Sequence, residues 1–254
     1  AYSVDLEGSE MYTIHIKDLV NNIDLPEQMS GVHGSVYFQI GVEWANDSET
    51  LFYLGLDSSH RACQLFRHKL GTDPAKDKLI YFEEDDTFSL SLLKSRSEKY
   101  ILTHHYNTMS HEMRFLPADQ PEAELQIFQP RLAGLEYYAA HLGDSFYIVT
   151  NENSQNFKLM KTPVTATEKE NWQEIIGNRE DTLLEHVDAF ENYIVLHERK
   201  GGLKQLRISK PDGHSEVRHV SFPDPTYEVI VDVNPEFHTN LLRLRYSSLT
   251  TPFS

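Results

Sequence analysis

Strand-like quartets recur every 46 to 50 residues, a second quartet follows 11 to 13 residues after each of the first five, and helical periodicity is nearly absent. Together these predict an all-β fold, a β-propeller of four-stranded antiparallel blades. The first quartets begin at Ala1 (AYSV), Leu51 (LFYL), Tyr100 (YILT), Phe146 (FYIV), Tyr193 (YIVL) and Leu241 (LLRL). The second begin at Tyr12 (YTIH), Gln64 (QLFR), Met113 (MRFL), Phe157 (FKLM) and Gln205 (QLRI). The links between them, among them Asp5-Leu6-Glu7-Gly8-Ser9, Asp57-Ser58-Ser59-His60, Asn151-Glu152-Asn153-Ser154 and Arg199-Lys200-Gly201-Gly202, carry residue types that close hairpins.

Two further strands complete the unit. One follows the hairpin, at residues 79–81, 125–128 and 217–220, and one precedes it, at 36–42, 88–93, 135–140, 184–189 and 227–233. Residues 166–176 alone permit a helix, and their Thr, Asn and Trp content reads instead as a polar turn entering a short strand. The chain is thus expected to be one domain, 1–254, with four nearly complete blades at about 35–84, 87–130, 134–178 and 182–222. Partial blades at about 1–30 and 226–254 flank them, and the chain opens and closes at a second strand of a blade. The ends either complete a five-bladed ring or are the open edges of a larger one. Ala1 stands where an initiator methionine would, which favours the larger ring, and open edges favour edge-strand-mediated dimers.

Composition bounds the function. The formal charge is −16, from 23 Lys+Arg against 39 Asp+Glu, which disfavours nucleic acid and leaves solubility or cationic partners. No apolar run approaches the roughly 18–20 residues of a membrane helix, and the N-terminus reads as a strand, not a signal peptide. A single cysteine, Cys63, excludes an internal disulfide and a multi-cysteine zinc site.

Motifs for chemistry are missing. No G-x-S-x-G places a nucleophile, and no glycine-rich loop cradles a phosphate. His104, His105 and His111 form the best metal candidate, but adjacent strand residues face opposite ways, so no metal is assigned. The run Glu83-Glu84-Asp85-Asp86 lacks the spacing of a calcium loop and reads as a solvated connection. Asn46-Asp47-Ser48 matches a glycosylation sequon once.

Several stretches, in order along the chain, resemble the prolyl oligopeptidase family of serine peptidases, and within it the oligopeptidase B (protease II) branch. They are Ala1-Tyr2-Ser3-Val4-Asp5 with Gly8, Glu10 and Tyr12; Trp44-Ala45-Asn46-Asp47; Phe66-Arg67-His68-Lys69-Leu70-Gly71-Thr72; and Asp77-Lys78-Leu79-Ile80-Tyr81 running into the acidic run. Asn156-Phe157-Lys158-Leu159, Phe222-Pro223-Asp224-Pro225 and Tyr246-Ser247-Ser248-Leu249-Thr250-Thr251-Pro252 follow. The resemblance implies a part of a seven-bladed propeller without catalytic residues, cofactor or metal. In that family the propeller caps an α/β-hydrolase domain bearing a Ser-Asp-His triad, here absent, and restricts access to short peptides. It further implies a cytoplasmic parent that cleaves after Lys or Arg, and Glu10 resembles a family position near the domain interface, where an ion pair with an Arg of the hydrolase domain is our own expectation. Two other readings stay open: a free-standing propeller scaffold, whose termini would share a blade, and a five-bladed glycosidase-like enzyme, whose carboxylates would converge on a channel.

Overall fold

The structure, a computed structural model, describes residues 1–34 and 41–253. It is an antiparallel all-β chain, and two three-residue 3₁₀ turns, Pro74–Lys76 and Lys169–Asn171, are the helical pieces among the described residues. Two compact units divide it, Ala1–Ala133 and Gly134–Ser254.

In the first unit, β1 (Tyr2–Val4), β2 (Tyr12–Asp18), β3 (Ile23–Val32), β4 (Val42–Trp44), β5 (Thr50–Leu56), β6 (Ala62–Lys69) and β7 (Lys78–Phe82) form one sheet in the order β1-β2-β3-β5-β6-β7. β4 also lies against β5. Among the described residues, the stretches expected as separate units at about 1–30 and 35–84 are joined at their border by the bridge Val32↔Gly55 and by the His33 N–H, which donates to the Leu54 carbonyl at 2.9 Å. Beside it β4 pairs with Leu51 to Tyr53. The chain runs close to itself here, since a Cβ on Gly41 would sit 2.3 Å from the His33 carbonyl oxygen. The strand expected at 36–42 lies outside the described residues except for its end, where Val42 opens β4. β8 (Ser89–Lys94), β9 (Tyr100–Tyr106), β10 (His111–Pro117) and β11 (Gln126–Gln129) make a four-stranded meander in the order β11-β10-β9-β8.

In the second unit, β12 (Tyr137–Leu142), β13 (Ser145–Thr150), β14 (Lys158–Pro163) and β15 (Gln173–Ile176) form one such sheet. β16 (Thr182–Ala189), β17 (Ile194–Lys200), β18 (Leu203–Ser209) and β19 (Arg218–His219) form another, and β20 (Tyr227–Val231) pairs with β21 (Leu244–Ser248). Residues 166–176 hold a 3₁₀ turn before β15, fixed where the Trp172 indole donates to the Thr167 carbonyl at 2.8 Å. The last quartet does not start at Leu241, which is exposed. Asn234 draws loop 232–243 closed instead, donating to the Asp232 and Arg243 carbonyls and accepting from the Arg243 N–H, and pairing begins at Leu244.

Alternation explains the near-continuous apolar strands. Successive side chains of a strand point to opposite faces, so a strand covered on both sides feeds two cores. In β5, Leu51 and Tyr53 pack with Ile14, Ile16, Met29 and Val32, whereas Phe52 and Leu54 pack with Leu65, Leu90, Leu92 and Ile101. In β17, Ile194 and Leu196 join Tyr147, Val149 and Val187, whereas Val195 joins Phe190, Leu206 and Val229. Face-to-face sheet stacking of this kind holds each unit together.

Candidate functional site

An antiparallel four-stranded meander places the link between its second and third strands at the same end as the link leaving its fourth. The side chains use that proximity. From the β5–β6 link, Arg61 donates to the carbonyls of Glu83, Asp85 and Phe88 in the outgoing link. In the second unit Asn156 of the β13–β14 link donates to the carbonyls of Arg179 and Glu180, and Ser154 to Asn178.

Glu10 lies in the β1–β2 link. The Asp5 carboxylate accepts from the backbone N–H groups of Glu7, Gly8 and Glu10, and Glu10 is held in the left-handed region at φ 62°. Its side chain is exposed and makes no ion pair among the described residues. A carboxylate fixed by its backbone and free at its tip is suited to a partner outside this chain.

The acidic run is not uniformly solvated. Glu84, Asp85 and Asp86 are exposed, but Glu83 is buried in a closed polar cluster. Its Oε2 receives Arg131 Nη2 at 2.6 Å, the Tyr81 hydroxyl at 3.1 Å and His105 Nδ1 at 3.3 Å, while Oε1 receives the Asp85 N–H at 3.1 Å. Arg131 stacks 3.5 Å above the Phe88 ring centroid, and its backbone N–H donates to Glu112, which also takes Arg114 at 2.9 Å. Burial pushes the Glu83 carboxyl up, but the hydrogen bonds from His105 and Arg131 outweigh it and bring the pKa down to about 2. Burial likewise holds His105 below the usual imidazole range, so the neutral ring donates from Nδ1 and accepts at Nε2 from Thr103, 2.9 Å away.

The histidines divide as strand alternation requires. His105 turns to Glu83, whereas His104 stacks on Tyr106 and meets the edge of His111 at 4.6 Å. Among the described residues no three His, Cys, Asp or Glu side chains are grouped to hold a metal. Cys63 is buried, and burial raises its thiol pKa. The Asn46 amide is committed internally, donating to the Glu98 carbonyl and to Asp119.

The second unit contains a cavity of about 700 Å³ that sequence reasoning missed, lined among others by Arg179, Glu198, Lys200, Arg207, Phe222 and Tyr227. Glu198 is buried on β17, on the face of Ile194 and Leu196. Arg179 Nη2 lies 2.7 Å and Arg207 Nη1 4.0 Å from its Oε1. The only sequence signal was a charge interrupting an apolar face.

The whole chain, residues 1–254, matches the family described as the N-terminal β-propeller domain of prolyl oligopeptidase. It is 34% identical over 254 residues to dipeptidyl aminopeptidase BI of Pseudoxanthomonas mexicana, covering 99% of this chain and 34% of that protein. It is 33% identical over 253 residues to protease 2 of Moraxella lacunata, covering 99% and 35%. Among solved structures, oligopeptidase B from Leishmania major superposes with a TM-score of 0.89 at 25% identity, over 99% of this chain and 36% of that one. Oligopeptidase B from Trypanosoma brucei gives 0.87 at 26%, over 99% and 35%. The chain therefore spans about a third of the length of these relatives. With the family match running from the first residue to the last over stacked antiparallel sheets, the chain belongs to the N-terminal β-propeller domain of the prolyl oligopeptidase family.

Proposed function

We propose that this chain is the non-catalytic propeller portion of a serine peptidase that also carries an α/β-hydrolase domain. There it caps the active site and admits short peptides while excluding folded proteins. The observation that carries this reading is a family match over residues 1–254 to relatives about three times as long, named as peptidases. It favours this role over a free-standing scaffold or a glycosidase-like enzyme. Stacked sheets buried on both faces make a stiff wall, and stiffness is what a size filter needs. The parent is a cytoplasmic enzyme that cleaves after Lys or Arg, and the triad belongs to the hydrolase domain.

Glu10 is the contact to that domain. Its exposed carboxylate, on a backbone pinned by Asp5, pairs with an arginine across the interface. In the full-length parent, Glu10→Gln is expected to lower kcat/KM for a short Arg-containing peptide about three- to tenfold and to loosen domain closure, read by small-angle scattering. Unchanged kinetics and scattering would remove Glu10 from the interface.

A further inference from the structure

The cavity beside Glu198 is not called on by the capping role, and its chemistry points to a ligand of its own. We propose that it binds the C-terminal carboxylate of a short peptide, held between Arg179 and Arg207.

In a chain of formal charge −16, this wall is locally cationic: Arg179, Lys200 and Arg207 line it against the single carboxylate of Glu198. The two guanidiniums share one oxygen of that carboxylate, at 2.7 and 4.0 Å. Arg207 commits Nη2 to the Gly213 carbonyl at 2.7 Å, and its buried Nε has no hydrogen-bond partner. A guanidinium carries five N–H donors, and the fold leaves those of Arg207 incompletely matched. That Nε is closed off from the cavity, so a second carboxylate takes its donors from Arg179, which is 30% exposed, and from the Nη1 end of Arg207, 4.0 Å from Glu198. Lys200, which is half exposed, is held 2.8 Å from Asp181 and adds attraction for an incoming anion.

The rest of the wall selects for more than a bare anion. Phe222 and Tyr227 contribute aromatic surface, and Tyr227 is fixed by its hydroxyl to the Lys204 carbonyl at 2.9 Å. At about 700 Å³ the space suits a few residues of peptide and far exceeds an acetate or phosphate ion. The site rests on the cavity alone and stands whether or not the chain caps a hydrolase.

The test is calorimetric titration of this 254-residue chain with acetyl-Ala-Ala-Phe-Ala as its free acid and as its C-terminal amide, with acetate and inorganic phosphate beside them. The free acid is expected to bind about ten- to a hundredfold more tightly than the amide, and less tightly as salt rises. Arg207→Gln should erase the preference for the acid, and the exposed Lys200→Met should weaken acid binding about threefold. If Arg207→Gln fails to fold, the acid–amide ratio and Lys200→Met decide. Equal affinity for acid and amide, no binding of either at millimolar concentration, or acetate and phosphate binding as tightly as the peptide would each overturn the proposal.

Discussion

Glu83 in the first unit and Glu198 in the second are both buried glutamates clasped by an arginine from the link that leaves a sheet, Arg131 and Arg179. Glu83 is saturated. Arg131, His105, Tyr81 and a backbone N–H fill both of its oxygens, and an aromatic ring covers the guanidinium. Glu198 shares one oxygen between two guanidiniums beside an open cavity. One device thus yields a clamp where the partners close around the charge and a receptive site where they do not. An adjoining cavity separates the two, rather than burial or completeness of hydrogen bonding, since Arg131 and Arg207 each keep a buried Nε without a hydrogen-bond partner.

Removing each charge tests that contrast. Glu83→Gln takes from Arg131 its nearest carboxylate, leaving Asp85 at 3.7 Å and Glu112 at 4.0 Å, and is expected to cost about 3 kcal/mol in urea denaturation. Because the folded pKa of Glu83, about 2, lies below the ordinary carboxylate value, its contribution is complete above about pH 4.5. It is lost as pH falls through about 2, so the acid limb of the stability profile should flatten in the variant. An unchanged acid limb would show that Glu83 is not the clamp.

Glu43 sharpens the comparison from the opposite side. It is half-buried and, among the described residues, accepts the Lys94 N–H alone, at 3.1 Å, so burial raises its pKa to about 7. Its contribution is complete below about pH 4.5 and is lost as pH rises through about 7. Glu43→Gln should therefore be the more stable form at pH 8, by about 2 kcal/mol relative to their difference at pH 5. Glu198→Gln should cost only about 1 kcal/mol, because the cavity lets water reach the freed guanidiniums. A loss as large as that of Glu83→Gln would erase the distinction between the sites. Glu10→Gln in the isolated chain should shift stability by less than about 0.5 kcal/mol, as its side chain touches nothing that stabilises the fold. Light scattering on this chain is expected to show dimers, since among the described residues β21 pairs with β20 alone; a monodisperse monomer would argue against edge pairing.

The strands were legible where an apolar or β-prone quartet ran unbroken, as in β5, β9, β13 and β17. β3 was not, because Asp24, Pro26, Glu27 and Gly31 break the apolar pattern and its ladder with β2 shifts register twice. Three of its ten residues, Glu27, Met29 and Val32, are still buried. The acidic run was read as a solvated link because four adjacent carboxylates look alike in sequence. Contacts with Tyr81, with His105 and with Arg131, 48 residues on, single out Glu83. Arg179 and Arg207 likewise meet Glu198 through strand pairing and link geometry, which composition does not encode. The turn that carries Glu10, D-x-x-G-x-E, was legible as a turn, and the structure shows its glycine at φ 70° and its capping Asp5.

Capping is tested most directly on the full-length product of the native gene. Its intact mass would be measured beside its rates on a short Arg-containing peptide and on a folded protein bearing the same cleavable sequence. The expected result is a chain far heavier than 29.4 kDa that cleaves the peptide after Arg and spares the folded protein. A native product of 29.4 kDa, or equal cleavage of peptide and folded protein, would contradict the proposal that this propeller guards a peptidase active site.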